Sequence, residues 1–276
     1  MKSYSKIIVS AILMFLTVSM FAQKDFQGKA MYMSKTTMDM SRFGNEMTEV
    51  QKQQMMNRMK SFLEKTYTLT FTKTESSFKE DVKLETPGTN GPMWGRSNGQ
   101  GSIYKSLKDK EMIEDVEQFS KRFLIVEKMD QPQWQLTSET KQIGNYTVYK
   151  ATMNIEDKTI DFGSIFGRRN NNQTDDKKNE PKMIDVVAWY SPQIPVSAGP
   201  DRYWGLPGLI LELSFDRTVM LCTEIVLNPE QKIEIQKPNK GDKVDREEYN
   251  KIIKEKTDEL KERFQGRGNG GGRGRF

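Results

Sequence analysis

Histidine is absent from this 276-residue chain, and cysteine occurs once. The first absence removes Ser-His-Asp and Cys-His nucleophiles, most zinc sites and the side chain best suited to general base work near neutral pH. The second removes any intramolecular disulfide. Cys222, within the strand-like run 218–227, therefore reads as a small buried hydrophobe. Also missing are a P-loop, a dinucleotide-binding glycine fingerprint and a nucleophile elbow; Gly163-Ser164-Ile165-Phe166-Gly167 has the wrong register for the last. Catalysis by carboxylates alone needs none of these, and Asp185 and Glu212, both on strand-like segments, are its candidates. A polar sheet face accounts for both equally well, so the expectation is a protein without catalysis and without a cofactor.

Long apolar runs are scarce too. The single one, Ile7 to Phe21, follows Lys2 and Lys6 and ends at the small residue Ala22. A charged start, a short apolar stretch and a small residue at the cut describe a secretory signal peptide over residues 1–22. Export to the periplasm, the outer membrane or the medium is expected, and no cysteine follows the run to carry a lipid. No other stretch approaches bilayer length, so the mature chain is not expected to span a membrane.

The net charge of +5 and pI of about 9.0 point toward nucleic acid only superficially. Lys2 and Lys6 at one end and Arg267, Arg273 and Arg275 at the other carry the whole excess, leaving 23–264 neutral. Nucleic acid is therefore not an expected partner. The Gly/Arg tail, 265–276, reads as a disordered tether able to touch anionic envelope polymers.

What is present is mostly strand signal in a single domain over 23–264. Thr66-Tyr-Thr-Leu-Thr-Phe-Thr-Lys73 alternates cleanly and is rich in β formers. Further strands are read at 26–33, 77–84, 102–108, 112–119, 122–128, 134–141, 146–153, 183–190, 209–215 and 218–227. Gly144-Asn145 and Asp216-Arg217 mark hairpins. Residues 86–101 read as a Gly/Pro loop, and about 155–182 as a polar insertion. Apolar residues at helical spacing from Met47 to Leu63 predict one helix, and the charged stretch of about 243–264 a second. Hairpin-linked strands in this number predict a mainly β fold with two helices: a curled antiparallel sheet, or open half-barrel, wrapped on the first helix. That outline resembles the lipoprotein-carrier class of half-barrels.

The most distinctive segment is Trp204-Gly205-Leu206-Pro207-Gly208-Leu209-Ile210, a turn driven into an apolar strand. Pro207 fixes its own φ, and Gly208 suits the positive φ of a type II turn. Ala188-Trp189-Tyr190-Ser191-Pro192 and the segment through Pro200 precede it closely. Together the two blocks resemble the GLPGLI family, secreted proteins of Bacteroidetes-type bacteria, and the resemblance implies export without implying a reaction.

Three prolines and three glycines between Pro195 and Gly208 leave the loop little freedom to lose on folding. Such a loop either holds Trp189, Tyr190, Tyr203, Trp204 and Leu206 as a rigid binding lip or carries the chain across the sheet and plugs it with Trp204. Methionine is the other enrichment. Met55, Met56 and Met59 pack a helix face, meet a greasy ligand or, as an outside reading, hold Cu(I) through thioethers. The sequence thus points to an exported envelope binding or accessory protein. Its expected partner is an outer-membrane transporter or secretion component, or a hydrophobic ligand. The alternatives are a carrier of a lipid-like ligand and a periplasmic copper-binding protein.

Overall fold

The computed structural model describes residues 26–37, 48–81, 99–156 and 183–268. The expected signal peptide, the 82–98 part of the Gly/Pro loop, residues 157–182 of the insertion, residues 269–276, and Met38, Met40 and Met47 lie outside the described residues. The elements are β1 (Gln27–Thr36), α1 (Glu49–Leu63), β2 (Glu64–Thr72), β3 (Glu75–Glu80), β4 (Gly99–Ser106), β5 (Glu111–Gln118), β6 (Lys121–Lys128), β7 (Gln135–Ile143), β8 (Tyr146–Glu156), β9 (Met183–Ser191), β10 (Leu209–Phe215), β11 (Thr218–Leu227), β12 (Asp242–Val244) and α2 (Arg246–Gly268).

All twelve strands form one open sheet in the order β12-β6-β5-β4-β3-β2-β1-β11-β10-β9-β8-β7. The mainly β class with two helices and an unclosed sheet is the expected one. Two runs of hairpin-linked strands, β2 to β6 and β7 to β11, meet across β1, which pairs antiparallel with β2 and with β11. The marked hairpins are present: Ile143 pairs with Tyr146 around Gly144 at φ 55°, and Phe215 with Thr218 around Asp216 at φ 47°.

One strand was invisible in the sequence. β12 occupies residues assigned to the start of the second helix and runs parallel to β6. The Asp245 carboxylate accepts a 2.8 Å bond from the Glu248 N–H, an N-cap that holds the helix start at Arg246. At its other end α2 continues to Gly268, beyond the tail boundary expected at 265.

The sheet does not wrap on α1. The helix forms for local reasons: Thr48 Oγ1 accepts from the Gln51 N–H, and Gln51 Oε1 accepts from the Thr48 N–H, a reciprocal capping box. Its six apolar residues are interleaved with Gln, Lys, Arg and Asn, and those described are not buried. Val50 is 67% exposed and Met56 37%, while Met55 and Met59 are only half-buried. The interior is filled instead by segment 192–208, which brings Ile194, Val196, Ala198, Tyr203 and Leu206 against Ala30, Tyr32, Leu69, Phe71, Phe78, Leu211 and Leu213. The face turned toward this segment is called inner below.

Period-two alternation sorts β2 cleanly: Tyr67, Leu69 and Phe71 point inward, and Tyr67 stacks on Phe78 at 4.8 Å. β10 departs from the alternation read in its sequence. A bulge between Ile210 and Glu212 turns Ile210 inward beside Leu209 and Leu211, leaving Glu212 opposite Trp189. At the far end of the sheet, α2 covers the inner side of β5 and β6 through Val116, Phe123, Ile125, Tyr249 and Ile253. Tyr104, Ile113 and Leu124 lie on the opposite side, under Ile235.

Candidate functional site

Segment 192–208 is held by features built from both ends of the sheet. Gly205 adopts φ 94°, a left-handed conformation, beside Pro132. Gly208 does not: positive φ is absent there, and the expected type II turn is replaced by a close approach. A Cβ on Gly208 would sit 2.2 Å from the Ser191 carbonyl oxygen. Glycine is required at 208 for contact with β9 rather than for its φ.

The firmest clasp was not foreseen. Lys105, 2% exposed on β4, donates to the carbonyl oxygens of Gly199 (2.8 Å), Asp201 (2.6 Å) and Tyr203 (3.1 Å). An ammonium has three N–H groups, and all three are used. Burial, joined by a smaller push from Arg202 and opposed by Asp201, lowers the amine to about 7. Parity along Ile103-Tyr104-Lys105 was the available signal, because it places the lysine on the same face as buried Ile103.

Next to it, Arg246 at the start of α2 pairs with Glu114 and, at 2.8 Å, with Glu127, while Arg202 reaches the same two carboxylates at 3.4 and 3.9 Å. Burial works against the Arg246 charge, but Glu114 and Glu127 more than offset it and hold the guanidinium above its usual range. These four residues join loop, sheet and helix. They stand too far apart in sequence for spacing to reveal them.

The residues expected to form a lip are divided by the structure. Tyr190, Tyr203 and Leu206 are 6%, 5% and 2% exposed and belong to the core. Trp204 is half-buried, and its carbonyl accepts from Trp134 Nε1 at 2.8 Å. Beside Trp204 and Lys105 lies a cavity of about 10 Å3, bounded also by Glu75, Ser76, Leu107 and Met129. It has room for something the size of a water, far below the ~300 Å3 at which small-molecule pockets begin. Pro207 is exposed at the turn.

Trp189 lies on the outer face, half-buried, with Lys141 Nζ 4.2 Å from its ring centroid and also 2.7 Å from Glu212. Asp185 is on the same strand, bonded to Asn154 at 2.7 Å, and four positions from Trp189. The two candidate carboxylates are thus separated along the sheet by about 13 Å, at ~3.3 Å per residue, and each has its own partner. The Cys222 thiol is buried and pushed up to about 12 by that burial, so it is not poised as a nucleophile. Among the described residues no group of three or more His, Cys, Asp or Glu side chains is placed to hold a metal ion. Met55 and Met59 share one helix side at i and i+4, both half-buried.

Outside, the inner-face order gives way to exposed apolar side chains. Met33 on β1 is 55% exposed and lies opposite Leu221 on β11, itself 40% exposed; Val219 and Val226 are exposed at either end of β11. The row Thr66–Met33–Leu221–Glu212–Trp189–Lys150 crosses six strands in register.

The fold defined by these elements is a mainly β chain on an open twelve-stranded sheet, its inner face filled by its own loop. The model of a family described as a protein of unknown function, Porph_ging, matches residues 134–212, the span that holds β7 to β9, the clasped loop and the start of β10. Similar solved structures include PNGF-II in a C2 and in a P21 crystal form. Each has a TM-score of 0.47 and 11% identity over 83% of this chain. This chain spans about a third of the PNGF-II chains, 32% and 33% respectively. No curated protein matches the sequence. No helix among the described residues is long and apolar enough to cross a membrane, which is a statement about helices alone.

Proposed function

We propose that this chain is an exported cell-envelope accessory protein of the GLPGLI family that works without catalysis, through the outer face of β1, β11 and β10. The observation that carries this reading is the contrast between the faces. The inner face is occupied by residues 192–208 and clasped by Lys105, whereas the outer face leaves Met33, Val219, Leu221 and Val226 in contact with solvent. A carrier of a lipid-like ligand needs room on the inner face, and the cavity there holds about 10 Å3. An interaction module needs a filled core and an uncovered apolar patch, and those are the features that support it here. Export rests on the apolar run Ile7 to Phe21 behind Lys2 and Lys6, and family membership on the two motif blocks from Ala188 to Ile210.

Photocrosslinking in cells tests the reading. A photoreactive residue at Leu221 or Met33 is expected to give adducts with envelope components. The same residue at Glu255, exposed on α2, is expected to give none. Equal labelling from all three positions, or from Glu255 alone, removes the outer face as the working surface.

A further inference from the structure

Resting on the reading that the outer face is the working surface, we propose that Met33 makes that face sensitive to oxidants: transfer of one oxygen atom from a peroxide to its sulfur turns the apolar middle of the face polar and releases the bound partner. Met33 stands on the outer side of β1, deep within the sheet order, with Thr66 opposite it on β2 and Leu221 opposite it on β11. Its neighbour on the same side, Met31, is half-buried between Thr68 and Glu224. Charged groups around the pair offset one another, with Lys35 opposite Glu64 and Glu212 held by Lys141. The apolar middle is therefore what sets this face apart.

Exposure singles out this sulfur. Met33 is 55% exposed, whereas Met112, Met129 and Met220 are 9%, 6% and 4% exposed and Cys222 is buried opposite Tyr32. Two more methionines among the described residues are open, Met56 on α1 and Met183 at the start of β9. Met183 lies about 20 Å along β9 from Trp189, the β9 member of the row that contains Met33, at ~3.3 Å per residue. Oxidation at either of these leaves the middle of the face unchanged.

In the reaction a sulfur lone pair attacks one peroxide oxygen, and the S–O bond forms as the O–O bond breaks. The departing hydroxide takes the proton of the transferred oxygen and leaves as water. Sulfur loses two electrons and the peroxide gains them. The product is a sulfoxide, a polar and chiral group whose oxygen is a strong hydrogen-bond acceptor. Pressed against an apolar partner beside Leu221, that oxygen loses water without gaining a donor, which weakens binding. A dithiol reductase removes the oxygen as water and is itself left as a disulfide, so the change is reversible.

Two measurements test this. Peptide mass spectrometry of the full chain after hydrogen peroxide is expected to find Met33 gaining one oxygen at least about tenfold faster than Met112, Met129 and Met220. A rate no faster than theirs overturns the proposal. In cells, adducts from a photoreactive residue at Leu221 are expected to fall at least about fivefold after peroxide in the parent. They are expected to persist in Met33→Leu, which keeps the apolar volume and takes no oxygen. Met33→Gln, polar from the start, is expected to lower them to the same degree without peroxide, and thermal unfolding checks that each variant is folded. Adducts that fall equally in Met33→Leu overturn the proposal and leave the outer face as the working surface. Adducts absent before peroxide remove the outer face itself, and the proposal with it.

Discussion

The Tyr32 hydroxyl donates to the Ile210 carbonyl over 2.6 Å, a buried bond between residues 178 positions apart. It fixes the centre of β1 to the bulge of β10 and supplies that irregular backbone with a donor. Burial raises the Tyr32 hydroxyl well above its usual titration range. Tyr32→Phe keeps the ring and orphans the carbonyl, so a loss of about 1 to 3 kcal/mol is expected in urea unfolding. A midpoint equal to the parent's would show that the bulge does not depend on this bond.

The glycines of the motif separate by cause. Gly208→Ala forces a methyl into the Ser191 carbonyl and is expected to lose about 2 kcal/mol or more. Gly205→Ala strains a left-handed φ and brings a methyl to 2.8 Å from Pro132 Cδ, a less close approach than that at 208, and is expected to lose about 1 kcal/mol. The ranking of the two unfolding midpoints checks this, and the reverse order would count against the close approach.

Lys105→Met removes the ammonium that bonds the Gly199, Asp201 and Tyr203 carbonyls and is expected to cost about 3 kcal/mol or more. The pH response carries the more specific test. With the amine at about 7 in the folded chain and near 10.4 when unfolded, the unfolded state binds more protons between those values. Stability should therefore rise from pH 7 toward 9. Above that, Cys222 and the buried tyrosines Tyr32 and Tyr67, all raised, retain protons in the folded state and turn the slope downward. Lys105→Met should abolish the rise and keep the fall. A parent profile flat from pH 7 to 9 would mean that three carbonyls solvate the ammonium as well as water does.

Arg202 and Arg246 share Glu114 and Glu127, so their effects should not add. Arg246, 11% exposed, is the stronger partner, and Arg246→Met is expected to cost about 3 kcal/mol by stranding two carboxylates. A double-mutant cycle with Arg202→Met should give a coupling of at least about 0.5 kcal/mol. Strict additivity would show that loop and helix are held independently.

Met59→Ala should cost under about 1 kcal/mol, because Met59 is half-buried on a helix whose main strand contacts are to β2 and β1 and lie outside the buried core. Phe71→Ala, fully buried, should cost about 3 to 5 kcal/mol. Comparable losses would restore α1 as part of the core.

Much of the sheet was legible because β2, β8 and β11 alternate and because Gly144 and Asp216 sit at tight turns. Local signals sufficed there. What filled the sheet was not legible. Helical spacing from Met47 to Leu63 and the apolar residues of 192–208 both advertised a core element, and only their packing decides between them. The motif glycine was expected to matter for its φ, whereas the constraint at 208 is the close approach of Ser191, which comes from a different strand. Trp189, Tyr190, Tyr203 and Trp204 looked alike as aromatics. The β10 bulge and the loop path divide them between outer face and core. Lys105 went unnoticed because a single lysine in a strand reads as solvated unless its carbonyl partners, some 94 to 98 residues later, are known.

The position of β1 constrains how the molecule is made. Its first strand lies between β2 and β11 and pairs with residues up to Leu227, so half of its hydrogen bonds wait for almost the whole chain. Loop closure over such distances makes the joining step slow relative to the hairpins on either side. Until it occurs, β1 and β11 each present an open strand edge. The hairpins on either side can form first, and the seam between β1 and β11 closes only after its last contributing strand has been made.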